Sequence, residues 1–224
     1  MKTFTFLITV FIFHFSLFTF HSFAQNYNPF NIGSSTDDRG YSIAVDASAN
    51  TYVTGYFKST ADFNPDPEIT NNLSALSMAG DIFIAKYNYL FQYQWAFKIG
   101  IVTANPSSGY GIAVDASSNV YVTGVFYGAN VNFNPLGGTP KNLSSNGSRD
   151  IFVAKYNSSG ICQWAFNVGG TTDNDYGYGI AVDASSVYVT GGFSGTSVNF
   201  NPLGTPPINL SSDGTQDIFV AKYN

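Results

Sequence analysis

Between residues 109 and 168 the apolar positions fall into four short runs, each closed by turn residues. Ile112-Ala113-Val114 ends at Asp115-Ala116-Ser117-Ser118-Asn119, and Val120-Tyr121-Val122-Thr123 follows and stops at Gly124. Five turn-forming residues between two β-rich runs predict a hairpin. After a longer connection, Asp150-Ile151-Phe152-Val153-Ala154-Lys155-Tyr156 predicts a third strand. Asn157-Ser158-Ser159-Gly160 then turns the chain into a fourth, Cys162 to Val168. No 3.6-residue period runs through this stretch, so the unit reads as four antiparallel strands.

The same unit occurs three times. Gly40-Tyr41-Ser42-Ile43-Ala44-Val45-Asp46 returns at Gly109–Asp115 and again at Gly177–Asp183, with spacings of 69 and 68 residues. From the strand-ending glycine to the aspartate that opens the third strand is 26 residues in every copy: Gly55 to Asp81, Gly124 to Asp150, Gly191 to Asp217. A connection of fixed length belongs to the unit. Repetition of one supersecondary element predicts a repeat architecture, and a repeated four-stranded meander is the blade of a β-propeller. The fold class expected is therefore all-β, a propeller of four-stranded antiparallel blades. With three repeats it would be a partial propeller or part of an oligomeric ring.

The ordered series Ala-Val-Asp, Asn-Val-Tyr-Val-Thr-Gly, Asp-Ile-Phe-Val-Ala-Lys-Tyr and Gln-Trp-Ala-Phe resembles the bacterial β-propeller repeat abbreviated SBBP, over nearly all of Phe30 to Asn224. The chain departs from it at Asn64, Asn134 and Asn201, where Phe-Asn-Pro stands for the Phe-Asp-Pro-Gly often found in relatives. The resemblance implies a propeller on exported or cell-surface bacterial proteins and implies no reaction.

The ends of the chain complement each other in phase. The third copy stops at Tyr223-Asn224, before a fourth strand. Pro29-Phe30-Asn31-Ile32-Gly33 lines up with Ala165-Phe166-Asn167-Val168-Gly169. Residues 28–33 are therefore expected to complete a blade. Propellers typically have about four to eight blades, so three call either for two chains in a six-bladed homodimeric ring or for a longer propeller of which this is a fragment.

Ahead of the repeats, Lys2 and the apolar stretch Phe4 to Phe20, followed by Ser22-Phe23-Ala24, read as a signal peptide over 1–24 with cleavage before Gln25. That leaves a repeat domain at 25–224, with repeats at about 34–102, 103–170 and 171–224, destined for secretion or the cell surface with no membrane segment after cleavage. The net charge is −5 and no basic patch occurs, which argues against nucleic acid.

Both histidines, His14 and His21, lie in the leader, and Cys162 is the single cysteine. A Ser-His-Asp triad, a Cys-His nucleophile and a His-based metal site are thereby excluded from the repeat domain. A glycosidase needs only two carboxylates, so that class stays open. Asp46, Asp115 and Asp183 end first strands, and Asp81, Asp150 and Asp217 open third strands. Recurrence in every blade marks these six as structural, with the first three capping turns and the others tying a loop to the blade.

Non-repeated acids are the better functional candidates. Asp62, Asp66 and Glu68 sit together in the first long connection and form a weak candidate Ca²⁺ site. Asp173 and Asp175 read as a solvated acidic loop. Trp95 and Trp164, at one station of the fourth strand, are expected to pack between blades. Cys162 reads as a small core residue. Asn72, Asn142 and Asn209, in repeat-locked Asn-Leu-Ser sequences, read as turn residues.

No cofactor is called for. The reading is an exported, non-catalytic binding or scaffold protein with an unknown protein or glycan partner. A carbohydrate-active enzyme or lectin, using loop aromatics such as Tyr127, and a fragment without its own function are the alternatives. The long Phe-Asn-Pro connections are the expected contact surface.

Overall fold

Each Ile-Ala-Val run forms a first strand because its alternate positions can be buried against a neighbouring blade while Asp-Ala-Ser ends it in a turn. In a computed structural model that describes residues 29–224, the first sheet has the order β1-β2-β5-β6. Its strands are β1 (Arg39–Val45), β2 (Thr51–Phe57), β5 (Asp81–Tyr87) and β6 (Tyr93–Ile99). The second repeats the order with β7 (Ser108–Val114), β8 (Val120–Phe126), β11 (Asp150–Tyr156) and β12 (Cys162–Val168). The third contains β13 (Tyr176–Val182), β14 (Val187–Phe193) and β17 (Asp217–Tyr223). All neighbours are antiparallel. Among the described residues no helix occurs. These are the expected blades. The leader over 1–24 lies outside the described residues.

The long connections carry structure that the alternation pattern did not reveal. Each folds into a two-stranded hairpin: β3 (Thr60–Asp62) with β4 (Asn72–Ser74), β9 (Val131–Asn132) with β10 (Asn142–Leu143), and β15 (Val198–Asn199) with β16 (Asn209–Leu210). Asn72, Asn142 and Asn209 thus open short strands instead of sitting in turns. Two or three residues are too few to show a period.

The phenylalanine of each Phe-Asn-Pro pins its hairpin to the blade. Phe63, Phe133 and Phe200 are buried. Each meets a second-strand phenylalanine edge-on (Phe57, Phe126 and Phe193) and a third-strand one at a tilt (Phe83, Phe152 and Phe219), with centroids 5.0–5.3 Å apart. In the second repeat the asparagine is interior too. Asn134 Oδ1 accepts from the Cys162 amide at 2.9 Å and its Nδ2 donates to the Thr139 carbonyl at 2.7 Å. These motif residues anchor the connection from inside, while Leu136, Leu203 and Ile208 of the same connections stay exposed.

Blades stack face to face, and β7 packs between β1 and β13, so the first strands form the hub. One core joins Ile82 and Ile84 of the first blade to Ile112, Val120 and Val122 of the second. A second core joins Ile151 and Val153 to Val187 and Val189 of the third.

The strand expected over 28–33 is not found as part of the third sheet. Residue 28 lies outside the described residues, residues 29–32 carry no ladder, and Gly33 makes a single antiparallel bridge to Asp62. The reason is local anchoring. Asp38 accepts from the Ser34 amide through one oxygen and from the Lys58 amide at 2.8 Å through the other, which holds this segment against the first blade. Asp175 binds the Gly170 and Ser194 amides in the same way, both at 2.8 Å. Ser34–Asp38 therefore enters the first blade as the linker after a fourth strand enters the third.

Candidate binding surface at the hub and blade junctions

One tyrosine per blade is singled out by a β-bulge. The register of β1 on β2 slips between Gly40 and Ser42, that of β7 on β8 between Gly109 and Gly111, and that of β13 on β14 between Gly177 and Gly179. The extra residues are Tyr41, Tyr110 and Tyr178. A bulge re-aims the side chain it carries, and here it turns the three rings toward one another along the hub. Tyr41 and Tyr110 have centroids 5.0 Å apart, and Tyr110 and Tyr178 5.5 Å. Tyr176 stacks on Tyr178 at 5.7 Å, and Tyr56 lies 5.9 Å from Tyr41. Tyr41 and Tyr178 are 42% and 50% exposed, so the two ends of the row are open to solvent while Tyr110 between them is half-buried. Burial pushes the hydroxyls of Tyr110 and Tyr178 up, keeping them as neutral donors at physiological pH.

The row offers planar apolar faces with polar rims, which suits stacking and hydrogen bonding. The sequence reading used Gly-Tyr only to count repeats. The usable signal is that Gly40–Val45, with Tyr41 in it, has one residue more than the Thr51–Gly55 run that it pairs with.

At the first blade junction Trp95 stacks on Phe97 with centroids 5.6 Å apart. Its indole nitrogen donates to the Ser158 carbonyl at 3.1 Å, and Lys86 Nζ donates to the same oxygen at 3.2 Å. Trp164 stacks on Phe166 in the same manner at 5.7 Å. Both tryptophans pack between blades. At the second junction Trp164, Lys155 and Tyr223 instead line a cleft of about 520 Å³ together with Asp183 and Leu203.

The repeated aspartates hold turns and loops. Asp115 accepts from the Ser117 and Asn119 amides at 2.9 Å each, from Asn119 Nδ2 at 2.8 Å and from the Tyr121 hydroxyl at 3.0 Å. Asp46 and Asp183 repeat the scheme with Ser48, Asn50 and Tyr52, and with Ser185, Ser186 and Tyr188. Asp81 accepts from the Leu76 amide at 2.7 Å, Asp150 from the Asn146 amide at 2.9 Å and Asp217 from the Asp213 amide at 3.0 Å.

Asp62, Asp66 and Glu68 do not converge. Asp62 Oδ1 is occupied by the Asn64 and Asn71 amides, as Asn132 Oδ1 is by those of Asn134 and Lys141. Asp66 accepts from the Glu68 amide. Among the described residues no group of three acidic, His or Cys side chains is placed to hold a metal ion.

Asp175 is fully buried, which corrects its reading as a solvated acid, while Asp173 is exposed and accepts from Thr172. The difference lies in the two amides that Asp175 clips together. Tyr127 is half-buried at the end of β8. Cys162 is buried, and desolvation pushes its thiol up to about 11, so it is no nucleophile.

No family model matches the chain. It is similar to an uncharacterized WD repeat-containing protein, L264, of Acanthamoeba polyphaga mimivirus. The two are 28% identical over an alignment 223 positions long, and the match covers 86% of this chain. These are propeller blades. The chain spans 15% of that relative's length.

Proposed function

We propose that this chain is an exported, non-catalytic propeller module of the SBBP kind. It binds a protein or glycan through the tyrosine row at its hub. The single observation that carries this reading is the placement of Tyr41, Tyr110 and Tyr178 at three equivalent bulges, with rings 5.0 and 5.5 Å apart. Tyr41 and Tyr178, at the two ends of the row, are 42% and 50% exposed, which leaves these rings open to a ligand while they pack on Tyr110. The WD-repeat relative supports a role in interaction over one in turnover. The apolar leader ending in Ser22-Phe23-Ala24 supports export, and the resemblance to SBBP supports the cell exterior as the place of action.

The test is a binding screen of the purified protein against immobilised oligosaccharides and a displayed peptide library. It is repeated with Tyr41→Ala, Tyr110→Ala and Tyr178→Ala combined. Ligands retained by the parent and lost by the triple variant, at unchanged circular dichroism, support the reading, and the class retained tells glycan from peptide. Ligands retained equally by both would remove the tyrosine row from it. Export is read separately by N-terminal sequencing of material from the periplasm or medium, where Gln25 is the expected first residue.

A further inference from the structure

Inside the chain, each blade interface pairs a threonine with a glycine. A methyl group on Gly109 would collide with Thr54 Oγ1, and one on Gly177 would collide with Thr123 Oγ1. The threonines are fixed, because each hydroxyl donates to a third-strand carbonyl: Thr54 to Phe83 and Thr123 to Phe152, both at 2.8 Å. Thr190 is fixed identically on Phe219 at 2.7 Å, yet it is exposed on the outer face of the third blade. Gly40 is the corresponding glycine of the first blade. A methyl group there would meet only Val53 Cγ1, at 3.8 Å. The chain thus carries one unmatched threonine and one unmatched glycine, on opposite outer faces.

The apolar residues around them are unmatched in the same sense. Ile112 is 6% exposed against the first blade, and its equivalent Ile43 is 65% exposed. Ile151 is 1% exposed against the third blade, and its equivalent Ile218 is 83% exposed. The two bare surfaces are the two halves of an interface that the chain builds twice internally. Contiguous apolar surfaces of this kind mark association sites.

We infer that a second copy of this chain covers both faces, the third blade of each copy packing on the first blade of the other. Two copies joined in this way bring together six of the described blades, within the range of about four to eight that propellers adopt. The contact is head-to-tail and is made twice, so rotation closes it into a ring instead of a fibre. The pairing also brings the segment before Gly33 of one copy to the open edge of β17 in the other, the place its match to Phe166-Asn167-Val168-Gly169 assigns. It would extend the hub row from three tyrosines to six. The inference does not depend on what the tyrosines bind.

Light scattering after gel filtration of the protein purified from expression of the full chain is the first test. A mass of two chains is expected, and one chain or more than two overturns the proposal. Gly40→Val and Ile218→Glu should each halve that mass. An equimolar mixture of the two variants should regain pairs, since one of the two contacts is then wild-type on both sides. A Gly40→Val protein that stays dimeric shows a different interface and overturns the proposal. A variant that fails to fold is bypassed by Gly40→Cys with Thr190→Cys, which should give a disulfide-linked dimer on a non-reducing gel. Absence of that band from folded protein counts against the pairing.

Discussion

The indole nitrogen of Trp95 donates to the carbonyl of Ser158 at 3.1 Å, across 63 residues and from one blade to the next. At the equivalent station Trp164 faces the junction cleft, and among the described residues its nitrogen makes no such bond. The two tryptophans hold the same place in the repeat, so comparing them isolates the hydrogen bond from the packing. Trp95→Phe should lower stability by about 1 kcal/mol, the net worth of a typical protein hydrogen bond. Trp164→Phe should cost measurably less. Parallel denaturant titrations check this, and equal losses would assign the effect to ring size alone.

The turn aspartates set the behaviour in acid. Burial would raise the Asp46 carboxyl, but hydrogen bonds from Asn50, the Asn50 amide and Tyr52 outweigh it and hold the group at about 2. Its folded pKa lies below the unfolded value of about 3.9. The stability it contributes is therefore present above about pH 4 and is lost as pH falls toward 2. Asp115 is lowered by the corresponding bonds. Asp115→Ala removes the acceptor of four bonds and should cost about 2–3 kcal/mol at pH 7. The deficit relative to wild type should shrink below pH 4, which thermal melts at pH 7 and pH 3 would detect.

Anchoring of the long connections is a matter of packing. Phe133 is fully buried, with Phe126 at 5.3 Å and Phe152 at 5.1 Å, whereas Leu136 in the same connection is exposed. Phe133→Ala should cost about 3–5 kcal/mol, the usual range for deleting a buried aromatic ring. Leu136→Ala should stay within about 0.5 kcal/mol. Hydrogen exchange should show the β9–β10 hairpin of Phe133→Ala opening ahead of the rest of the blade. Protection that stayed uniform would mean the hairpin is held without the ring.

The blades were legible because three copies in phase repeat the first three strands and two repeat the fourth, so no single run had to be interpreted alone. The turn aspartates were legible for the same reason, with Asp115-Ala116-Ser117 carrying its own hydrogen-bond logic. The hub tyrosines were hidden by that regularity, since a bulge alters pairing by one residue without changing composition. Asp175 was misread because burial of an acid depends on which distant amides reach it, here those of Gly170 and Ser194. The hairpins β3–β4, β9–β10 and β15–β16 are too short for any period and depend on the phenylalanine that docks them.

Asp150 runs against the turn aspartates in its pH dependence. Desolvation pushes its carboxyl up to about 6, despite bonds from the Asn146 amide and from Asn167 Nδ2 at 2.7 Å. Its other oxygen, Oδ1, is buried with no hydrogen-bond partner among the described residues. A folded pKa above the unfolded value of about 3.9 gives stability that is complete below pH 4 and is lost as pH rises through 6. At pH 8 the ionised group therefore costs about 3 kcal/mol, two units at about 1.4 kcal/mol each. Asparagine keeps one acceptor for Asn146 and Asn167 and puts an uncharged amide where Oδ1 is unpartnered. Asp150→Asn should accordingly melt higher than wild type at pH 8, and the gap should close as pH falls through 6 toward 4. A variant less stable than wild type at pH 8 would mean that the charge on Asp150 supports the loop it ties down.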